Sequence, residues 1–286
     1  MSNNNHKNSL LCPGCRKLIS RSVSACPFCG LHKPASRFKN NIFTAGITDG
    51  DQLVTVLIGV NVVMFILSIV IDPKLGSMNF HPFNFLSPSN QSLLVLGSTG
   101  TIPVLQLDRW WSLLAANYLH GGLLHIVFNM LAIRQLAPLV IREFGINRMI
   151  TLYTLGGVVG FFISTLAGVP LTIGASAALC SLIGALLYYG KSRGGVYGQN
   201  VFSQIGGWAI GIGIFGFMVP GINNWGHGGG MLAGVVLGYL LGYTDRKKEQ
   251  FSHKILAMLC LAATCLILLW SCLNGIVFLL FTNQLS

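Results

Sequence analysis

The chain has 286 residues, 52% hydrophobic and only 9% charged, with a mean hydropathy of +0.67. A soluble domain carries nearer a quarter charged residues, so an ordinary water-soluble enzyme is excluded. The formal charge of +11 does not argue for nucleic acid, because the basic residues lie in a tail and in short connections.

The first forty residues are polar and contain cysteines, so no cleavable signal peptide is expected. Within them Cys12-Pro13-Gly14-Cys15 and Cys26-Pro27-Phe28-Cys29 form a C-x2-C-x10-C-x2-C pattern. The pattern resembles a zinc ribbon with two knuckles. Four thiolates close a tetrahedral site without an open position, so a structural Zn2+ is expected, with no metal required for catalysis. Two disulfides are the alternative, and a reducing cytoplasm disfavours them. The expected ribbon covers residues 1–31, and residues 32–50 read as a linker. The ribbon could bind a partner, regulate the rest of the chain or be only a small folded handle. Nucleic acid is not an expected partner.

Beyond the linker there is no charge from Met149 to Gly190, from Gly194 to Thr244, or after Lys254. A membrane helix needs about 20 apolar residues, and seven spans are predicted: 53–71, 113–135, 149–168, 175–190, 201–219, 226–243 and 255–280. Sixteen Lys and Arg fall in the tail and in the connections after spans two, four and six, against two (Lys74 and Arg109) in the alternate connections. Basic residues stay on the cytoplasmic side, so the N-terminus is predicted inside and the C-terminus outside. The expected location is multi-pass, in a bacterial cytoplasmic membrane. The outside segment from Asp72 to Trp111 reads as a membrane-lying loop, since His81, Pro82, Phe83, Phe85, Pro88, Trp110 and Trp111 mix rings with turn formers. Interfacial anchoring explains the tryptophans equally well.

Spans two, four and six would begin at the outer face. Their first residues include His120, His125 and Asn129, then Gly174 and Ser176, then His227. Ionisable residues inside spans are costly and usually functional. His125 and Asn129 stand one helical turn apart and share a face. A serine hydroxyl is a weak nucleophile until a base takes its proton, and histidine suits that role. All seven acids lie in the tail or connections, so a Ser-His dyad is expected rather than a triad. His125, the Asn129 amide and the Ser176 backbone N–H are candidate oxyanion donors. Gly226, Gly230, Gly234, Gly238 and Gly242 form a smooth stripe on span six. Span four offers Ser176, Cys180 and Gly184 on one face, with Ala177, Ser181 and Ala185 beside it. Small faces let helices touch backbone to backbone. Taken singly, such a serine or histidine is usually structural. Cys180, Cys260, Cys265 and Cys272 read as apolar packing.

The chain resembles the rhomboid intramembrane serine proteases over roughly residues 50–243. The matching pieces are His120-Gly121-Gly122-Leu123-Leu124-His125 with Asn129, then Gly174-Ala175-Ser176, then His227 with Gly229 and Gly230. The resemblance implies an all-α polytopic fold: a six-helix core over 51–245, then a cytoplasmic loop and seventh helix over 246–286. It implies Ser176 as nucleophile and His227 as general base. His125, Asn129 and Gly174 would support the oxyanion; His120 could equally pack or bond within its loop. Transmembrane protein segments would be the substrates, within the lipid bilayer, and span five would act as a lateral gate. Two positions depart from the family: Ser112 follows Trp111 where arginine is usual, and Ala177 stands where glycine is usual. The competing readings are a catalytically inactive rhomboid-like protein that binds or escorts membrane helices and, behind it, a transporter.

Overall fold

The computed structural model describes residues 9–12, 17–31, 33–36, 49–71 and 85–282. Cys15, most of the 32–50 linker, and His81, Pro82 and Phe83 lie outside the described residues. The chain divides into two compact units, Met1–Leu53 and Val54–Ser286.

In the first unit, strands β1 (Ser9–Leu11) and β2 (Leu18–Ser20) pair antiparallel, with Leu10 opposite Ile19. The Cys12 N–H donates to Lys17 O at 2.9 Å, and around the second cysteine pair Cys26 N–H donates to Leu31 O at 2.9 Å. Cys12, Ile19 and Cys26 are the buried centre, with Leu10, Val23 and Leu31 packed around them. So small a core buries little apolar area, which is why a fold of this size usually needs a metal or disulfide staple.

The remainder is helical. Helix α1 (Gly50–Val70) is followed by the short α2 (Asn90–Leu96), a π-helical turn over 102–106, the single turn α3 (Ser112–Ala115) and a 3-10 turn over 116–118. Then come α4 (Leu123–Phe144), α5 (Ile146–Leu166), α6 (Ser176–Arg193), α7 (Gly195–Met218), α8 (Asn224–Leu241) and α9 (Phe251–Thr282). The protein is an integral, multi-pass membrane protein. Helices α1, α4, α5, α7 and α9 are long and apolar enough to span a bilayer. Helices α6 and α8 have 18 residues each, roughly 27 Å at 1.5 Å per residue. Their glycines and small residues make them less apolar, which suits helices that face protein more than lipid.

Six predicted spans coincide with helices, five to within four residues at either end and the fifth span, 201–219, starting six residues late. The second is shifted: 113–135 is not one helix. Asn117 Nδ2 donates back to Leu113 O and Leu114 O, at 3.0 and 3.3 Å, closing the short α3 turn. Leu119 is extended, and the helix restarts only after Gly121-Gly122. Hydropathy could not see this break because the residues around it are themselves apolar. At its far end α4 runs through Pro138 to the charged Arg142 and Glu143.

Helices α5, α6 and α8 form the centre of the bundle, and the α6–α8 interface is the most extensive. A Cβ on Gly230 or Gly234 would run into the carbonyl oxygen of Ala177 or Ser181, and one on Gly238 would lie 3.3 Å from Ala185 Cα. Gly184 faces the Met231 carbonyl in the same way. From the other side, a Cβ on Gly160 of α5 would stand 2.8 Å from Gly226 O. Lipid is as apolar as any core, so dispersion at close range is what membrane helices gain by associating. Glycine and alanine maximise it. Around this centre α9 packs on α5, α2 and α3, while α7 leaves Phe217 and Met218 largely exposed.

At the end of the bundle away from Ser176, the fully buried Arg148 donates from Nη2 to Lys247 O (2.7 Å) and Lys248 O (3.1 Å), and from Nη1 to Phe144 O (3.1 Å). Glu249 accepts from the N–H groups of Asn147 and Arg148, at 3.0 and 3.1 Å. These first-turn amides of α5 have no intrahelical acceptor, so the carboxylate caps them. The α8–α9 connection is thereby tied to the α4–α5 turn.

Gly234→Val should be among the most damaging single changes, because backbone carbonyl cannot move aside as a side chain can. The expected loss is about 2 kcal/mol or more, read as a lowered thermal unfolding midpoint in detergent. Gly206→Val, where a Cβ meets nothing within 4 Å, serves as the control and should leave the midpoint nearly unchanged.

Candidate active site

Ser176 is the first residue of α6, reached through a loop that turns at Gly174, where φ is +124°. That conformation is costly for any residue with a Cβ. The loop is held from two sides. Gly174 N–H donates to Ala116 O at 2.9 Å, and Thr172 and Thr99 exchange backbone hydrogen bonds of 2.6 and 3.0 Å. Thr101 N–H adds a bond to Val169 O at 2.8 Å. The segment between α2 and α3 therefore pairs, strand-like, with the segment that delivers Ser176.

His227 lies in the first turn of α8. Its Nε2 is 2.8 Å from Ser176 Oγ. The α6–α8 backbone contact is what permits this: two helices carrying large side chains at the crossing would hold the groups too far apart. His227 Nδ1 is buried and meets no carboxylate or other hydrogen-bond partner among the described residues.

His125, in the first turn of α4, accepts the Gly121 N–H on Nδ1 at 3.3 Å. Its Nε2 faces the space above Gly174. A Cβ on Gly174 would lie 2.7 Å from His125 Nε2 and 3.6 Å from Ser176 Oγ, so glycine leaves open the volume that both groups line. Asn129 is buried and donates from Nδ2 to His125 O at 2.8 Å, on the face expected from its spacing. His120 is fully buried, its ring edge-on to His125 with centroids 5.1 Å apart. The five residues singled out near Ser176 thus gather at one end of the bundle, with Ser176 and His227 in direct contact.

The two atypical positions have specific environments. Ser112, fully buried, donates its hydroxyl to Thr99 Oγ1 at 3.0 Å, and so reinforces the loop pairing. Arg109 donates from Nη1 to Leu94 O at 3.1 Å, and the Trp111 ring fills the space beside Gly97. Ala177 is buried and presents its carbonyl to Gly230. The contributions of Thr99, Thr172 and Ser112 escaped the sequence analysis. A loop pairing made through backbones, and a single hydroxyl that reaches it from α3, carry no period or spacing that could have signalled them.

In the first unit, the sulfurs of Cys12, Cys26 and Cys29 lie within 4.8 Å of one another, with Cys12 and Cys29 at 3.6 Å. Burial pushes the Cys26 thiol up, but the backbone N–H groups of Phe28 and Cys29 and the neighbouring thiols outweigh it and hold its pKa down to about 6. The three sulfurs therefore converge as a set that could hold a metal ion. The expected fourth ligand, Cys15, lies outside the described residues.

Fold and site together define a polytopic helical membrane protein with a serine–histidine pair set between two closely packed helices. Residues 107–244 match the Rhomboid domain, and through that domain the chain belongs to the rhomboid family. It is 29% identical to RHOMBOID-like protein 4 of Arabidopsis thaliana, over 66% of this chain and 52% of that protein. It is 32% identical to Rhomboid protease GluP of Bacillus subtilis (strain 168), over 62% of this chain and 34% of that protein. To RHOMBOID-like protein 5 of Arabidopsis thaliana it is 31% identical, over 63% and 65%. The chain thus spans from about a third to just under two thirds of the length of these relatives.

Gly174→Ala should cost about 1–3 kcal/mol of stability from backbone strain alone. The added methyl also points at His125 Nε2, so a histidine NMR signal from that ring should shift. An unfolding midpoint equal to that of the unaltered protein would contradict the first expectation, and an unmoved ring signal the second.

Proposed function

We propose that the chain is an intramembrane serine endopeptidase that hydrolyses transmembrane segments of other proteins through a Ser176–His227 dyad. The observation that carries this reading is the 2.8 Å contact between Ser176 Oγ and His227 Nε2. Family membership and the name of the Bacillus subtilis relative, a rhomboid protease, support it.

In the proposed mechanism His227 Nε2 takes the hydroxyl proton as Ser176 Oγ attacks the peptide carbonyl carbon. The tetrahedral oxyanion then needs donors. Because His125 Nδ1 accepts the Gly121 N–H, the neutral ring carries its proton on Nε2. That N–H faces the open volume over Gly174. Ala175 gives α6 no capping side chain, so the first-turn N–H groups beside Ser176 are aimed as further donors. Asn129 would fix the His125 backbone, and His120 would wall the pocket behind it. Collapse of the intermediate passes the proton from His227 to the leaving amine, and water releases the acyl-enzyme by the same base. A substrate peptide bond is shielded while its helix is intact. Cleavage should therefore favour segments with helix-breaking or small residues near the site.

The distribution of basic residues, 16 against 2, supports an N-terminus in the cytoplasm, a C-terminus outside, and a site near the outer face. For the first unit we propose a structural Zn2+ held by Cys12, Cys26 and Cys29 with Cys15 as the fourth thiolate, stapling a core too small to stand alone.

A fluorophosphonate probe should label the membrane-reconstituted protein at Ser176. Ser176→Ala should abolish labelling, and His227→Ala should reduce its rate by about 100-fold or more. An unlabelled protein that still captures transmembrane peptides would instead mark an inactive helix-binding member. The purified chain should carry about one zinc per molecule by elemental analysis. Cys26→Ser should lose the zinc and leave probe labelling within about twofold of the unaltered protein, since the metal takes no part in the chemistry.

A further inference from the structure

We propose that Asn223 is a positioning residue that sets the geometry of the Ser176–His227 pair, an inference that rests on the hydrolase reading above. Asn223 stands immediately before α8 and accepts the Gly226 N–H on Oδ1 at 2.9 Å, capping the helix. Its carbonyl accepts the His227 N–H at 3.1 Å. An ordinary cap would end there. This one also donates from Nδ2 to Ser164 Oγ at 2.7 Å and to Thr172 Oγ1 at 2.9 Å.

The three segments joined in this way are the ones that matter for the pair. Ser164, fully buried, belongs to the last turn of α5. Thr172 lies four residues before Ser176, and its backbone is already paired with Thr99. Gly226 and His227 belong to the first turn of α8. One amide thus fixes the start of the histidine helix against the loop that delivers the serine. Gly226 is fitted to it: a Cβ there would lie 2.8 Å from Asn223 Nδ2.

An amide can do this because it donates and accepts at once. A carboxylate at the same position would still accept from Gly226 N–H and would suit a helix N-terminus. The Ser164 and Thr172 hydroxyls can rotate to donate to it. Leucine has the same size and can make none of these bonds. The bundle itself is held by the contacts among α5, α6 and α8, so losing Asn223 should disturb the pair more than the fold. Reaction rates fall steeply with displacement, by about 100-fold for about 1 Å.

The test combines kinetics with a readout that needs no turnover. In 15N-histidine-labelled protein the Ser176–His227 hydrogen bond is read as the change in the His227 Nε2 shift on Ser176→Ala. Asn223→Leu should reproduce that change and lower kcat on a reconstituted transmembrane substrate by about 10- to 100-fold, with KM within about twofold. Asn223→Asp should restore both the shift and most of the rate. If Asn223→Leu does not fold, the paired change Ser164→Ala with Thr172→Val removes the same two donor contacts and decides in its place. An unchanged His227 signal and rate in Asn223→Leu, or no rescue by Asn223→Asp, would overturn the proposal. Loss of the hydrogen bond in Asn223→Leu, in a protein that never reacts with the probe, would leave the positioning role standing and remove the hydrolase reading instead.

Discussion

The distance between the backbones of α6 and α8 is the quantity on which the rest of this structure depends. Ser176 and His227 have short side chains, and they can share a hydrogen bond only if their helices nearly touch. Glycine at every fourth residue of α8, set against Ala177, Ser181 and Ala185 of α6, allows that approach. Gly160 of α5 closes against α8 from the other side. In a membrane, where lipid competes equally for apolar side chains, contact of this kind is also the source of cohesion. Stability and reactivity draw on the same glycines.

Bringing helix ends together inside a membrane creates a second problem, because every loop that joins them carries backbone polar groups that lipid cannot satisfy. Near Ser176 the answer is a short strand-like pairing of Thr99 with Thr172, reinforced by Ser112 and Thr101. At the other end it is a buried guanidinium that takes up three carbonyls, and a carboxylate that caps α5. Arginine suits the first task because it offers several donors in a rigid fork. Both devices direct polar groups mainly at backbone, with one side-chain contact added in each, Ser112 to Thr99 and Asn147 to Glu249.

Much of this was legible in the chain. Long uncharged stretches located the helices, and the placement of Ser176 and His227 at the heads of two of them anticipated their contact. The glycine stripe was visible, but which face of α6 would meet it was not; the register runs through Ala177, Ser181 and Ala185. The break between α3 and α4 was hidden because it is short and lies between apolar turns, so hydropathy averaged over a span runs across it. Asn117 ends the first and Gly122 precedes the second, yet neither residue alone compels a break. The Thr99–Thr172 pairing and the three-way bonding of Asn223 were illegible for a different reason: they join segments distant in sequence through groups that many residues could supply. In the N-terminal unit the cysteine spacing foretold the convergence of Cys12, Cys26 and Cys29.

The seventh helix, α9, is fastened at two levels. Beside its start, Glu249 and the carbonyls of Lys247 and Lys248 hold the α4–α5 turn. Toward its far end the Ser271 hydroxyl donates to Leu96 O, and Gly275 lies against Leu96 and Ile71. Some 20 residues of continuous helix separate the two fastenings, roughly 30 Å at 1.5 Å per residue, about the thickness of the hydrocarbon layer. A helix free at one end can tilt to suit a thinner or thicker bilayer; a strut pinned at both cannot. Any mismatch then falls on the lipid itself or on less buried helices such as α7, so bilayer thickness becomes a mechanical load on the bundle.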